Sequence, residues 1–164
     1  MAKKSTALRW LWLSLVVIAL DQITKHIVLG AFLPGERHVV IPGFLNWVLA
    51  FNTGAAFSFL ADAGGWQRWL FTALAIVVST ILIVWLKRTS RCDWRTALPL
   101  ALVIGGALGN LIDRVRFGHV TDFIEVYYRQ WIWPAFNIAD SAISVGAVFL
   151  IVFGLFGNRQ ERSS

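Results

Sequence analysis

The sequence predicts an all-α membrane protein with four transmembrane helices and a small exported β-sheet between helices 1 and 2. Hydrophobic residues make up 57% of its 164 residues and charged residues only 15%, whereas soluble domains carry about 25% charged residues. The apolar residues form four long runs, each near the length of about 20 residues that a helix needs to cross a bilayer. We therefore expect a single integral membrane domain that covers residues 1–164.

The first apolar run predicts a helix over about residues 10–29. A cleaved secretory signal peptide is the alternative, because Lys3 and Lys4 resemble the basic region with which such peptides open. However, Asp21 and Lys25 interrupt the run, and no small-residue cleavage pattern follows it. These features favour a span that is retained in the protein.

The exported segment, about residues 36–60, is predicted to contain short β-strands that lie on the outer membrane surface. Val39 to Ile41 and Phe44 to Phe51 are rich in apolar, β-branched and aromatic residues, and a Pro-Gly pair separates them. Asn52-Thr53-Gly54 then forms a turn signal. Residues 55–60 fit either a further strand or the start of a lipid-facing helix.

Three further runs predict helices over about residues 67–86, 97–114 and 138–156. The third helix carries Gly105 and Gly109 in a G-x-x-x-G pattern, which permits close contact between helices. Four spans place both chain ends on one side, and three basic clusters fall on that side. The clusters are Lys3, Lys4 and Arg9; Lys87, Arg88, Arg91 and Arg95; and Arg159 and Arg162. In the exported segments acidic residues offset the basic ones, so the asymmetry predicts an N-in, C-in topology.

The composition argues against several functional classes. The net charge of +6 is accounted for by the basic clusters, and no basic stripe with interleaved aromatic residues predicts a nucleic-acid partner. Cys92, as a single cysteine, cannot form an intramolecular disulfide, and no histidine starts an H-E-x-x-H pattern. We expect neither a metal nor another cofactor. Most of the nine tryptophans lie near the ends of apolar runs, as in an interfacial belt.

Ionisable residues in or beside a span are costly in a bilayer, so they are functional candidates by default. Asp21 and Lys25 are four residues apart and can pair on one helix face. Such a pair either stabilises the span or supports a functional site. Asn110, Asp113 and Arg114 share a face of the third helix. They either line a cavity or form a polar helix end in water.

Asp122 and Asp140 are expected at the same membrane depth, because the third helix ends and the fourth begins on the exported side. Asp140 alone could be a helix N-terminal carboxylate with Asn137 as the cap, but this leaves Asp122 unexplained. Two close carboxylates do not both ionise readily, so one keeps a proton. The ionised partner can then accept a proton from water while the protonated one polarises a peptide carbonyl, and the proton belongs to the pair.

The aspartate pair leaves two other functions open. A proton-coupled transporter would distribute ionisable residues through the membrane and show repeat symmetry between its halves. Here the charges collect at one end, and no repeat is visible. A non-catalytic membrane scaffold would use the aspartates only to cap helices.

Four sequence blocks together resemble lipoprotein signal peptidase, also called signal peptidase II. The blocks are Asn52-Thr53-Gly54-Ala55-Ala56-Phe57, Gly106-Ala107-Leu108-Gly109-Asn110-Leu111-Ile112-Asp113-Arg114, Val120-Thr121-Asp122-Phe123 and Phe136-Asn137-Ile138-Ala139-Asp140-Ser141. They follow the order and the four-span layout of the family, from Asp21 to about residue 150. The resemblance implies a metal-free aspartic endopeptidase of the bacterial inner (cytoplasmic) membrane. It would remove signal peptides from diacylglyceryl-modified prolipoproteins, with its active site toward the periplasm.

The resemblance also implies residue roles and partners. The catalytic aspartates of the family fall on Asp122 and Asp140. Supporting or substrate-binding positions fall on Asn52, Gly54, Asn110, Asp113, Arg114, Asn137, Asp21 and Lys25. The implied partners are a lipidated prolipoprotein, membrane lipid and globomycin-like inhibitors, and a monomer is expected. Thr121 departs from the apolar residue that is common in the family, and its hydroxyl could add a local hydrogen bond.

Overall fold

The computed structural model describes residues 6–54 and 64–157, with side chains described as far as residue 155. Within these residues, four helices are long and apolar enough to cross a membrane, which confirms the predicted helical fold. They are α1 (Leu11–Ala31), α2 (Gln67–Arg88), α3 (Trp94–Phe117) and α4 (Ile138–Gly157). A short 3₁₀ turn at Ala7–Trp10 precedes α1. Many outward-facing side chains of the helices are apolar and exposed, as a lipid environment requires.

A four-stranded antiparallel sheet lies where α1 and α3 end and α2 and α4 begin, which we call the sheet end of the molecule. Its strands are β1 (Arg37–Ile41), β2 (Leu45–Asn52), β3 (Val120–Tyr128) and β4 (Trp131–Ile132), in that spatial order. The predicted strands between helices 1 and 2 are present as β1 and β2. The part of the predicted segment at residues 55–60 lies outside the described residues.

Half of the sheet comes from the connection between α3 and α4, where sequence reasoning assigned no strand. The first four residues of β3, Val120 to Phe123, are all buried, so the strand does not show the alternation of polar and apolar residues that reveals a half-exposed strand. Asp122 and Thr121 also break the apolar run. This strand matters most for function, because it carries Asp122 beside β2.

Helix α3 is the centre of the bundle and packs against the other three helices. Its glycines allow the close approach that the G-x-x-x-G pattern predicts. A Cβ added at Gly105 would lie 2.9 Å from the carbonyl oxygen of Ser14 on α1. A Cβ added at Gly109 would lie 2.8 Å from a carboxylate oxygen of Asp21. The small residues therefore bring the polar end of α1 against α3.

The opposite end of the bundle, which we call the basic end, joins the start of α1 to the α2–α3 connection. The Ala7 N–H donates to the Thr89 carbonyl over 3.1 Å, and Arg9 Nη2 donates to the Arg91 carbonyl over 3.3 Å. An apolar cluster of Ala7, Leu86, Ala97, Leu100 and Ile104 packs beneath these contacts. The described cations of this end are Arg9, Lys87, Arg88, Arg91 and Arg95, and all of them are exposed.

Candidate active site

Asp122 and Asp140 line one cavity of about 710 Å³ at the sheet end. Asp122 projects from β3, and Asp140 lies in the first turn of α4. The cavity is lined by Ala50, Phe51, Asn52, Asn110, Arg114, Val120, Asp122, Trp133, Pro134, Ala135, Phe136, Asp140, Ser141, Ile143, Ser144 and Val145. The two carboxylates that the sequence singled out therefore face a common space that is large enough for part of a peptide.

Asn137 connects the two carboxylates to each other and to the start of α4. Its side-chain Nδ2 donates to Asp122 Oδ1 over 2.7 Å. Its backbone N–H donates to Asp140 Oδ2 over 3.3 Å, and its Oδ1 accepts the Asp140 N–H over 2.9 Å. This reciprocal pair is a capping box, with aspartate in the place of the usual glutamate. Asn137 is fully buried, so helix capping and carboxylate placement depend on the same fixed side chain.

Asn110 on α3 places a second amide against Asp140. Its Nδ2 donates to Asp140 Oδ1 over 2.7 Å, while its Oδ1 accepts from Lys25 Nζ over 2.9 Å and from Asn137 Nδ2 over 3.2 Å. Lysine can only donate, so the amide oxygen of Asn110 must face Lys25 and its nitrogen must face Asp140. The charge on Lys25 thus fixes which way this amide points.

Lys25 is the centre of a buried ion network behind the cavity. Its Nζ lies 2.8 Å from Asp21 Oδ2 and 2.9 Å from Asp113 Oδ2, so the predicted pairing of Asp21 with Lys25 is confirmed. Asp113 is only 1% exposed, which excludes the alternative of a polar helix end in water. Asp21 Oδ1 accepts the Ala139 N–H at the start of α4, and Asp113 Oδ2 accepts the Thr121 N–H of β3. The network therefore joins α1, α3, α4 and β3 next to the carboxylate pair.

Asn52 and Arg114 also line the cavity and add polar groups beside Asp122. Asn52 Nδ2 donates to Asp122 Oδ2 over 3.2 Å, and its Oδ1 accepts the Gly54 N–H over 3.0 Å. Arg114 Nη2 donates to the Gly54 carbonyl over 3.0 Å, and its guanidinium lies 5.3 Å from the ring centre of Phe71. Gly54 therefore takes part through its backbone, and the turn that the sequence predicts is closed by the Asn52 side chain.

Burial and charge repulsion both act on the ionisation of Asp122. Burial in β3 is the larger cause and the nearby Asp140 the second, and together they raise the pKa of Asp122 from 3.8 to about 7. Hydrogen bonds from Asn52 and Asn137 oppose this shift. The raised pKa lets the pair keep a proton at a pH where an ordinary aspartate has lost it, as acid–base catalysis by two carboxylates requires.

Residues 13–156 of the chain match the Signal peptidase (SPase) II family. The chain belongs to this family. The lipoprotein signal peptidase of Xanthomonas campestris pv. campestris (strain 8004) is 57% identical over 159 residues, covering 97% of this chain and 95% of that protein. The lipoprotein signal peptidase of Pseudomonas syringae pv. tomato (strain ATCC BAA-871 / DC3000) is 57% identical over 144 residues, covering 87% of this chain and 83% of that protein.

Two solved structures, both described as a bacterial membrane enzyme obtained by the in meso method, have the same fold. One, at 2.3 Å resolution, has a TM-score of 0.85 and 30% identity, and the match covers 100% of this chain and 98% of that one. The other, at 1.9 Å, has a TM-score of 0.77 and 31% identity, with 96% and 99% covered. The resemblance to signal peptidase II that the four motif blocks indicate is therefore confirmed.

Membership in the signal peptidase II family makes the chain a multi-pass membrane protease and decides against the transporter and scaffold alternatives. Of the predicted site residues, Asn52, Asn110, Arg114, Asp122 and Asp140 line the cavity. The others, Asp21, Lys25, Gly54, Asp113 and Asn137, contact these residues or one another from behind. All ten predicted residues thus belong to one connected site.

Sequence reasoning missed one polar residue and one tryptophan at this site, and one buried carboxylate of the sheet. Gln22 donates to Asp113 Oδ1 over 2.9 Å and to the Gly109 carbonyl over 3.3 Å. An uncharged polar side chain inside the first apolar run was the available signal. Glu125 accepts from Arg37 and from Asn46, its cross-strand neighbour in β2. Trp133 lines the cavity, but in the sequence it reads only as an interfacial tryptophan.

The expectation that Thr121 adds a hydroxyl hydrogen bond is wrong. Its Oγ1 is buried and has no hydrogen-bond partner within the described part of the chain. The backbone of Thr121 is engaged instead, because its N–H donates to Asp113 and its carbonyl accepts from Asn137 Nδ2. The strand geometry directs these backbone groups toward the ion network whatever the side chain.

Proposed function

We propose that this signal peptidase II family member removes the signal peptide from diacylglyceryl-modified prolipoproteins by aspartic-type hydrolysis, with Asp122 and Asp140 as the catalytic pair. The observation that carries the proposal is that one buried residue, Asn137, donates to both carboxylates at the wall of one cavity, to Asp122 from its side chain and to Asp140 from its backbone N–H. Relatives that are 57% identical carry the name lipoprotein signal peptidase, which supports the substrate class.

The reaction uses one shared proton and one water molecule. The ionised carboxylate takes a proton from the water, whose oxygen attacks the scissile carbonyl carbon, and the protonated carboxyl gives its proton to the carbonyl oxygen. In the second step a proton passes from the pair to the amine nitrogen and the C–N bond breaks, while a hydroxyl of the tetrahedral carbon returns its proton to the pair as the carboxylic acid forms. The products are a carboxylic acid and an amine, and the pair again holds one proton.

Amide groups hold the pair in a fixed arrangement before substrate arrives. Asp122 accepts from Asn52 and Asn137, and Asp140 accepts from Asn110 and from the Asn137 backbone. Such preorganised donors stabilise developing charge without reorganising during the reaction. Lys25 is a positioning residue in this scheme, because it orients the amide of Asn110.

Arg114 is suited to hold the substrate backbone. Its guanidinium lines the cavity, with one nitrogen bonded to the Gly54 carbonyl and one face over Phe71. Among the described residues, its buried Nε has no hydrogen-bond partner, and a peptide carbonyl is a suitable acceptor for such a donor. A globomycin-like cyclic peptide that presents similar carbonyls should compete for the same position.

The proposed location is the bacterial inner membrane, with the sheet end facing the periplasm and both termini in the cytoplasm. Five exposed cations and one acidic residue, Asp93, are described at the basic end. At the sheet end, the acidic side chains offset the basic ones. The positive-inside rule assigns the basic end to the cytoplasm. A monomer is the proposed active form, because both carboxylates and their amide partners come from one chain.

Cleavage of a diacylglyceryl prolipoprotein by purified protein in detergent tests the proposal. Asp122→Asn and Asp140→Asn should each lower turnover by about 10³-fold or more, because each removes one half of the acid–base pair. Asp93→Asn is the matched control, since Asp93 is an exposed N-cap at the other end of the bundle. Thermal midpoints verify that all three variants fold. Full turnover in both site variants would refute the aspartic mechanism.

A further inference from the structure

The catalytic cavity has a polar wall and an apolar wall. The carboxylates, amides and guanidinium described above form the polar wall. The apolar wall includes Trp133 and Pro134 from the connection after β4, and Ile143 and Val145 from α4. Any group that leaves the cavity on this second side meets aromatic and aliphatic surface. The division suggests that two chemically different parts of one substrate are bound.

Trp133 is held at the edge of the apolar wall by backbone pairing. Its N–H donates to the Val126 carbonyl over 2.8 Å, next to the pairing of Ile132 with Tyr127. The side chain lines the cavity and is nevertheless 58% exposed. Trp131, two residues earlier, is 77% exposed and does not line the cavity. Only the later of these two tryptophans therefore joins the cavity to the surroundings of the protein.

Val145 on α4 also lines the cavity and begins an exposed apolar track. Val145 is 45% exposed, and Val148 and Val152 continue the exposed surface along the same helix at 54% and 39%. At a rise of about 1.5 Å per residue, Val145 lies about 7.5 Å along the axis from Asp140, toward the middle of the span. The track thus leads from the carboxylate pair to the part of α4 that contacts lipid.

We propose that Trp133 and Val145 flank an exit through which the acyl chains of the lipid-modified substrate pass from the catalytic cavity into the bilayer. The inference rests on the proposed function. The proposed substrate carries a diacylglyceryl group on its peptide, so a peptide bound in the cavity brings acyl chains with it. Each methylene of such a chain gains about 0.8 kcal/mol from leaving water, so the chains require a continuous apolar path. The polar wall offers none.

This exit makes Trp133 a specificity-determining residue for the length of the acyl chain. The indole ring is large and lies where a chain would leave the cavity, so it can cover several methylene groups. A short-chain substrate would engage the peptide-binding side alone. The contribution of Trp133 should therefore appear in KM and grow with chain length.

The test compares KM for two prolipoprotein substrates that carry the same peptide, one with long and one with short acyl chains. Trp133→Ala should raise the ratio of long-chain to short-chain KM roughly tenfold, equivalent to about 1.4 kcal/mol. Trp131→Ala, the matched control on the same hairpin, should leave the ratio as in the unsubstituted protein. Val145→Thr, which keeps the shape of the side chain and adds a hydroxyl, should raise the ratio by a smaller factor.

The outcomes separate the exit from the proposed function. An unchanged ratio in both Trp133→Ala and Val145→Thr, or an equal change in Trp131→Ala, would overturn the exit while cleavage of both substrates continues. If the unsubstituted protein cleaves neither substrate, the proposed function and the exit both fail. Because Trp133 and Val145 come from different elements, a variant that fails to fold at one position leaves the ratio measured with the other variant to test the exit.

Discussion

Asn137 combines a structural and a proposed catalytic task in one side chain. Its oxygen caps α4 by accepting the Asp140 N–H, and its nitrogen donates to Asp122. An N-cap bond is typically worth about 1 kcal/mol, so this contact alone justifies an asparagine at the position. The second contact means that the start of α4 cannot shift without moving both carboxylates.

Asp21 is a buried structural carboxylate, and its removal should affect folding more than chemistry. Asp21→Ala breaks the pair with Lys25 and leaves the Ala139 N–H without its acceptor. Breaking a buried ion pair costs about 3 kcal/mol or more in the free energy of unfolding. We expect a clearly lower thermal midpoint in detergent, with turnover of the folded fraction reduced far less than in Asp122→Asn.

Glu36→Ala provides the control for Asp21→Ala, because the half-buried Glu36 carboxylate makes only surface contacts, with the exposed His38 and with the Leu33 N–H. Exposed pairs contribute about 1 kcal/mol at most, so the thermal midpoint should hardly change. An unchanged midpoint in Asp21→Ala together with lost turnover would mean that Asp21 acts in the chemistry instead.

Residue spacing predicted which residues form much of the site, but not the contacts between side chains on different helices. The interval of four from Asp21 to Lys25 was sufficient to predict their pairing. The contact of Lys25 with Asn110 depends on how α1 and α3 pack, and no local pattern encodes that. Gln22 was missed for the same reason, because its partners lie on α3.

At the scale of elements, Gly106 on α3 allows α4 to pack closely against α3 next to Asp140. A Cβ at Gly106 would overlap the Ala139 carbonyl oxygen and would lie 2.8 Å from a side-chain carbon of Ile143. These two residues flank Asp140 on α4. The absence of a side chain at Gly106 therefore sets the distance between the helix that carries Asn110 and the helix that carries Asp140.

Gly106→Ala should push α4 away from α3. Overpacking of this kind destabilises proteins by about 1–3 kcal/mol, and here it should also displace Asp140 and lower turnover. Gly154→Ala is the matched control on α4, since a Cβ there would have open space around it. The control should be neutral or stabilising by up to about 1 kcal/mol. Equal thermal midpoints and equal turnover for the two variants would contradict the role given to Gly106.

The helices could be predicted from apolar length alone, whereas the sheet could be predicted only in part. Strands β1 and β2 have clear β-branched and aromatic runs separated by Pro42-Gly43. Strand β3 is buried along its first half and contains Asp122, so its sequence resembles neither a half-exposed strand nor a continuous apolar one. Pairing with β2, a long-range contact, gives this segment its strand conformation.

At the scale of the whole molecule, charge distinguishes the two ends of the bundle. The five exposed cations of the basic end come from the turn before α1 and from the region where α2 ends and α3 begins, and the contact of Arg9 with Arg91 joins the two. At the sheet end the buried cation Lys25 is paired with Asp21 and Asp113. Among the described residues, the basic end carries five exposed cations and one acidic residue, the excess of positive charge that the proposed orientation requires.

Cys92, the single cysteine, is exposed in the α2–α3 connection and can report this orientation. In intact spheroplasts, a membrane-impermeant maleimide should label Cys92 only after the membrane is opened. Gln130→Cys, placed at the exposed β3–β4 turn in a Cys92→Ser background, should react without opening. The reverse pattern would place the catalytic cavity on the cytoplasmic side and refute the proposed topology.

Proteolysis by this site depends on Asp122 and Asp140 holding one proton between them at neutral pH, and the pH dependence of kcat/KM tests this most directly. Because the pKa of Asp122 is raised from 3.8 to about 7, the folded protein keeps a proton that an ordinary aspartate has lost, and gives it up as the pH rises through 7. With a diacylglyceryl prolipoprotein as substrate, kcat/KM should fall about tenfold per pH unit above about pH 7. A kcat/KM that stays constant or rises from about pH 7 to about pH 9 would contradict a shared catalytic proton.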